Sequence, residues 1–373
     1  MLIPAGKSLV LDVPVNLASL QIEGQLQFDP TKDVELRAGS INLTGPSARL
    51  AAGSESAYHP SRATITLTGA RTAQTEQGCG NKAICVMGGS LELFGEPRLS
   101  WTRLNATAAA GTTQLTLADA PNWRAGDRIV IAPSGVDPFE AEVRTVTAVS
   151  GRTVTVDKAL TYPHFGQTQT FDGVTIDTRA EVGLLTRNVV IRGDDASAAT
   201  GFGAHVMVMG GGKAQISGIE MYQVGQKALL GRYPFHWHLA GDVNGQYFKN
   251  SSIHTAYNRF LTIHGADRAL VENNVAYDTI GHGFYLEDGV EVKNVLQGNL
   301  GILVRQARKG EEVRPEFQWP AFVKSDRMPA VYWISHPDNI LRNNVAAGAE
   351  NGFGYWLSYF EKPTGLSQGS AIR

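Results

Sequence analysis

The segment GRYPFHWHLAGD, residues 231–242, sets two imidazoles one residue apart, with an arginine and a tyrosine before them and an aspartate after. On an extended strand, residues i and i+2 share a face. His236 and His238 therefore point one way, and Phe235, Trp237 and Leu239 the other. The aromatic set is the natural core side. In FLTIHGAD the same alternation turns Leu261 and Ile263 inward, and Thr262 and His264 outward. In FYLEDG it turns Phe284 and Leu286 inward, and Tyr285 and Glu287 outward. Stacking Trp237, Ile263 and Leu286 on successive strands puts His238, His264 and Glu287 in one outward column, with His236 in the neighbouring one. GAHVMVMG offers His205 and Met207 on the strand before.

Neighbouring strands lie about 4.8 Å apart, so such imidazoles can converge on one cation. His205, His236, His238 and His264 are the expected ligands of a divalent metal. Three histidines and a carboxylate suit a zinc-like ion. An open position would let it activate water or polarise a sugar or acyl oxygen. Two other readings stand beside this one, a metal-free polar catalytic or binding patch and histidines that merely stack at corners. His254 and His336 belong to the last class, and His59, His164 and His282 stay uncommitted.

The expected acid and base groups are Asp242, Glu287 and Asp288. Two carboxyl groups about 5–9 Å apart can serve glycoside cleavage. Asp267 reads instead as a corner residue that bonds its own backbone. Arg232 and Arg259, with Arg305 further on, offer cations for an acidic substrate such as a uronate-bearing glycan. Tyr233, Tyr285 and Trp333 offer ring faces for sugars.

The elements that must hold these side chains are strands. SLVLDVPVNL, ATITLTG, SLELFG, TQLTLAD, RIVIAP and RTVTVDK alternate apolar and polar residues, and Gly, Pro, Asn or Asp interrupts them about every ten residues. Helical periodicity is nearly absent. The pattern predicts an all-β chain, a right-handed parallel β-helix preceded by a glycine-rich β domain. Residues 1–100 read as the glycine-rich part. Residues 101–165 read as a small β subdomain with a turn at Gly126-Asp127 and a hairpin around Ser150-Gly151. Residues 166–373 read as the β-helix carrying the active groove. There, similar segments recur at a period of roughly 20–26 residues, within the solenoid range. Their corners carry Asn250, Asn273, Asn274, Asn294, Asn343 and Asn344, and stacked asparagines can satisfy one another's amides.

Composition narrows the function. The chain has 373 residues, a formal net charge of -2 and 18% charged residues, with no Lys/Arg-rich run to suggest nucleic acid. No apolar run reaches the ~20 residues of a membrane span. The opening MLIPAGKSLVLDV lacks a basic region followed by a long apolar one, so it reads as the start of a mature or trimmed chain. Cys79 and Cys85 in GCGNKAIC can close a small loop by a disulfide in an oxidising compartment or remain free thiols. They lack the second ligand pair of a zinc site.

Several longer stretches resemble one family over nearly the whole chain. IPAGKSLVLDV, LQIEGQLQF, INLTG, ATITLTG and GGSLELFG resemble the domain named for its eight recurring glycines. NWRAGDRIVIAPSGVDPFEAEVRTV, RAEVGLLTRNVVIRG, GRYPFHWHLAGDV, SIHTAYNRFLTIHG, GHGFYLEDGVE and NNVAAGAENGFGYW are similar to the cell-surface hyaluronidases and hyaluronan-binding proteins, and to fibrocystin-like receptors. The resemblance implies extracellular or cell-surface proteins with a parallel β-helix, some of which depolymerise hyaluronan in a calcium-dependent way. It carries Arg232, Tyr233, His236, His238, Asp242, His205, His264, Glu287 and Asp288 over as matching positions without assigning roles. The vertebrate hyaluronidases place a lectin-like insert before the WRAGD unit, and RLSWTRLNATAAAGTTQLTLADAPNW leaves no room for it. The expected function is a secreted, monomeric, metal-assisted glycoside hydrolase acting on hyaluronan or a similar acidic polysaccharide. A β-elimination lyase and a glycan-binding or adhesion module without turnover are the alternatives.

Overall fold

Each short strand alternates buried and exposed residues, so it can bury one face only by stacking on the strands of the next coil. A computed structural model describes residues 1–72, 78–313, 325–359 and 361–371. Among the described residues the strands form three parallel sheets of ten, nine and nine strands. Each turn of chain contributes one strand to each sheet, which makes a parallel β-helix. The longest helix among the described residues is Ala196–Thr200, and none is long and apolar enough to cross a membrane.

The first coils come from the glycine-rich segment. Its strands Ser40–Thr44 and Ala83–Met87 lie in the same sheet as His205–Met209, Phe235–Asp242 and Leu261–Asp267. Between coils the chain leaves to build a six-stranded antiparallel sheet, then re-enters at Val189–Gly193, which pairs with Ala63–Leu67. That sheet has its own core of Leu115, Leu117, Ile129, Ile131, Val146 and Val154. The predicted turn precedes Arg128–Ile131, and the predicted hairpin joins Glu142–Ser150 to Thr153–Val156. The sheet also takes in Glu181–Leu184, beyond residue 165. A seam of Val130, Ala132 and Leu185 against Val275, Leu300 and Ile302 fastens it to the helix.

Inside the coils, apolar columns run along the axis. Phe235, Leu261, Phe284 and Tyr332 form one, and Trp237, Ile263 and Leu286 the next. All are buried to within 1%, each worth about 1.5–3 kcal/mol of apolar transfer. The corners carry the asparagine ladders. Asn274 Nδ2 donates to Asn299 Oδ1 at 2.9 Å, and Asn299 Nδ2 to Asn344 Oδ1 at 2.9 Å. Asn294 repeats this with Asn339 at 3.0 Å, and Asn273 donates to Asn250 at 2.8 Å. These amides satisfy backbone groups that the corners remove from the sheets. Asn250, Asn273 and Asn343 also take left-handed φ values of 52–54°, a region asparagine tolerates better than most residues.

Candidate metal centre

Three neighbouring strands of the ten-stranded sheet carry the centre. His236 lies opposite Thr262, Trp237 opposite Ile263, and His238 opposite His264. Ile263 lies opposite Leu286 on the following strand, so Glu287 continues the His238–His264 column. Immediately after His238 its strand bulges, with Leu239 and Ala240 set against the single Gly265. Leu239 has φ 48° and Gly265 φ 54°, and the register shifts between His238 and Gly241. The left-handed φ at Gly265 favours glycine there, and a Cβ would also meet the tip of the Leu239 side chain at 2.7 Å. Bulges of this kind re-aim side chains beside sites.

The donor atoms converge. One ring nitrogen from each of His236, His238 and His264 lies within 4.8 Å of the others. His236 Nδ1 donates to the Gly231 carbonyl at 3.1 Å, which leaves Nε2 as the lone-pair nitrogen. That Nε2 is buried without a hydrogen-bond partner. His264 Nε2 donates to Asp288 Oδ2 at 2.7 Å, which turns its Nδ1 to within 3.1 Å of His238 Nδ1. Glu287 Oε2 is likewise buried without a hydrogen bond. It stands 3.9 Å from His236 Nε2 and 3.7 Å from His264 Nδ1. Glu287 Oε1 accepts from the Tyr233 hydroxyl at 3.2 Å.

These residues fit a cation. A tetrahedral ion with bonds near 2.0–2.1 Å has ligand–ligand edges of about 3.3 Å, close to the 3.1, 3.7 and 3.9 Å separations seen here. Two orphaned lone pairs in a buried cluster are otherwise costly. The Asp288–His264 bond is the carboxylate–histidine arrangement that orients a ligating imidazole.

Protonation follows from the same contacts. Burial, and then the neighbouring His238 and His264, hold His236 well below the usual imidazole range. Burial and His264 hold His238 down to about 4. Burial also acts downward on His264, but the Glu287 charge and the Asp288 hydrogen bond outweigh it and raise it to about 9. Burial lifts the Glu287 carboxyl above its usual range. Without a cation the cluster therefore keeps one proton on His264, shared toward His238.

The remaining expected residues fall elsewhere. His205 lies outside the converging set of ring nitrogens; its Nε2 donates to the Cys79 carbonyl at 2.8 Å and its Nδ1 is buried without a partner. Cys79 and Cys85 form a disulfide, and Arg232 donates to the Gly78 carbonyl of that loop at 2.5 Å. Asp242 lies beyond the bulge on the exposed end of its strand. It accepts from Arg268 Nε at 2.8 Å and from its own turn at Asn244 N, 3.0 Å, so the structure does not bring it to the cluster. The shift of register at Leu239 is the reason. Asp267 accepts from Val292 N of the next coil at 3.0 Å, where a bond within its own turn was expected.

Arg232, Tyr233, Arg259, Tyr285 and Trp333 are all buried, none more than 7% exposed. Arg259 pairs with Asp326 at 2.7 Å and lies 4.0 Å over the Tyr285 ring. Trp333 stacks on Tyr285 at 5.7 Å, and Tyr233 packs edge-on to His236 at 4.9 Å. The face outward from the sheet is thus covered by loops carrying Tyr233, Asp288 and Asp326. His238 is the most accessible of the three converging histidines. Of the other histidines, His254 bonds Glu220 at 2.9 Å and His164 bonds Glu142 at 3.1 Å. His336 accepts from Asp338 N at 3.1 Å.

Residues 1–105 match the G8 domain family model, and residues 201–373 match the CEMIP beta-helix family model. The chain joins a G8 domain to a CEMIP β-helix. Mouse fibrocystin-L is 36% identical over 412 residues, covering 98% of this chain and 9% of that protein. Human cell surface hyaluronidase CEMIP2 is 34% identical over 287 residues, covering 68% of this chain and 20% of that protein. The mouse cell migration-inducing and hyaluronan-binding protein is 32% identical over 314 residues, covering 74% and 23%. The chain spans less than a quarter of each of these relatives. All three converging histidines and Glu287 lie in the CEMIP β-helix segment. The G8 segment is held to it through the disulfide loop, whose Cys79 and Gly78 carbonyls accept from His205 and Arg232. Sequence reasoning missed Asp326 and Glu291, which sit in loops where no alternation marks an inward side.

Proposed function

We propose that this chain is the metal-holding part of a glycan-acting protein, a depolymerase of an acidic polysaccharide such as hyaluronan, working outside the cell or at its surface. The observation that carries this reading is the convergence of His236, His238, His264 and Glu287, with His236 Nε2 and Glu287 Oε2 buried and unpartnered. Three nitrogens and one oxygen suit zinc better than calcium, which takes oxygen ligands. Bound there, the ion would supply a Lewis acid for water or a glycosidic oxygen. Gly231 and Asp288 fix the tautomers and orientations of His236 and His264. Tyr233 holds Glu287 from the opposite oxygen. Asp242 takes no part, and Asp288 orients His264 rather than serving as a free acid. The hyaluronan-related names of two relatives support the substrate class, and the disulfide fits an oxidising compartment.

A second reading is a glycan-binding module without turnover. Among the described residues Arg232, Tyr233, Arg259, Tyr285 and Trp333 are buried and form no open row of sugar-facing groups at the cluster, so none of them holds a sugar against the ion for turnover, and binding would use another face. One experiment separates the two. Hyaluronan and other acidic and neutral polysaccharides are incubated with the chain, with and without chelator, and chain length is measured. Shortening that a chelator abolishes and zinc restores supports the depolymerase. Products absorbing in the ultraviolet would make it a lyase rather than a hydrolase. Tight binding with unchanged chain length supports the second reading, and neither binding nor shortening overturns both.

A further inference from the structure

We infer that Glu291 is the positioning carboxylate that sets the cation-holding side chains in place before any ion arrives, an inference that rests on the metal reading above. Glu291 is fully buried. Its Oε1 accepts the Gly265 N–H at 2.8 Å and the Asp288 N–H at 3.0 Å. Its Oε2 accepts the Gly289 N–H at 2.9 Å, the Val290 N–H at 3.2 Å and the Ser335 hydroxyl at 3.3 Å. One carboxylate thus gathers four backbone amides from two separate segments.

Those segments are the ones that matter. Gly265 follows His264 opposite the bulge, and Asp288 follows Glu287 where the chain leaves the sheet. The turn over Asp288, Gly289 and Val290 has no sheet partner to receive these amides, and buried amides without acceptors are costly. Glu291 supplies the acceptors and ties the turn to Gly265 of the neighbouring strand. It is itself anchored from below. Its carbonyl accepts Asn339 Nδ2 at 2.7 Å, and Asn339 belongs to the Asn294 ladder. Glu291 touches no imidazole nitrogen among its hydrogen bonds, so it acts through the amides on the aim of His264, Glu287 and Asp288. Groups one layer behind metal ligands typically change metal affinity ten- to a hundredfold when removed.

The test uses the whole chain stripped with a chelator, then titrated with zinc and with cobalt(II). Wild type, Glu291→Gln and Ser335→Ala are compared by affinity, by the cobalt absorption spectrum and by Tm with and without metal. Glu291→Gln is expected to bind both ions roughly ten- to a hundredfold more weakly, with an altered cobalt spectrum. Ser335→Ala removes one donor to Oε2 and keeps the backbone set, so it is expected to fold and to show a smaller loss in the same direction. A purely structural Glu291 would lower the Tm of the stripped protein while affinity and spectrum stayed at wild-type values, and that overturns the inference. If Glu291→Gln does not fold, unchanged affinity and spectrum in Ser335→Ala overturn it alone. A wild-type chain that binds neither ion contradicts the cation site itself, a separate outcome from wild-type binding that Glu291 does not influence.

Discussion

His238 and His264 stand opposite each other on neighbouring parallel strands, and their Nδ1 atoms lie 3.1 Å apart. Two lone pairs at that distance repel unless a proton or a cation sits between them. The Asp288 carboxylate commits His264 Nε2 as a donor, so the contested position is Nδ1. A proton fills it in the metal-free protein, and an ion would replace that proton.

The bond from His264 to Asp288 should therefore matter for metal affinity as well as for the stability of the metal-free protein. Asp288→Asn keeps the size of the side chain and weakens its pull on the imidazole. The expected outcome is a ten- to a hundredfold rise, approximately, in the zinc dissociation constant, checked by competition with a chromogenic chelator. An unchanged constant would remove Asp288 from the centre.

The raised affinity of His264 for a proton, to about 9, makes stability pH-dependent in chelator. The folded value lies above the unfolded one. The stabilisation is thus fully present below about 6.5 and is lost as pH rises through about 9. A displacement of that size is worth on the order of 3 kcal/mol. Melting curves of the stripped wild type and His264→Ala from pH 6 to 10 should converge as pH rises, and a constant gap would contradict the assignment. With zinc present the ion competes with the same proton, so zinc affinity should rise over that range.

Arg259 was expected to hold substrate and instead forms a fully buried pair with Asp326. Asp326→Ala removes the carboxylate paired with that buried guanidinium and should cost on the order of 3–5 kcal/mol in denaturant unfolding. The double variant Arg259→Met, Asp326→Leu should recover much of the loss, because apolar replacement of a buried pair is often neutral. A double variant as unstable as the single one would point to another role for Arg259.

The corner ladders make a prediction of their own. Asn299 accepts from Asn274 and donates to Val271 O and Asn344 Oδ1, each at 2.9 Å. Asn299→Ala leaves several buried groups unpaired and should cost on the order of 3 kcal/mol, read as a lowered Tm. A shift of less than a degree would show that water replaces the ladder.

The fold and the register around the centre were legible because strands have a period of two. Trp237, Ile263 and Leu286 had to share the inner column once each strand was phased, and His238, His264 and Glu287 followed on the other face. The asparagine corners were legible for a similar reason, since ladder residues repeat with the coil. Asn299 and Asn339 escaped notice although they occupy the same ranks. Asp242 was misplaced because a bulge at Leu239 breaks the phase, and a positive φ at leucine leaves no mark in the sequence. The outward face was read as a groove, but alternation distinguishes only the two sides of a sheet. It cannot tell that loops carrying Tyr233, Asp288 and Asp326 cover the outer one. Glu291 lies in such a loop and gave no periodic signal at all.

The central claim is that His236, His238, His264 and Glu287 hold one divalent ion, and metal content tests it most directly. The whole chain and its His236→Ala, His238→Ala double variant are loaded with zinc, dialysed and analysed for metal, with circular dichroism to confirm that both are folded. The account predicts one zinc per chain in the wild type and close to none in the folded double variant. A wild type without zinc, or a double variant that retains it in full, would contradict the account.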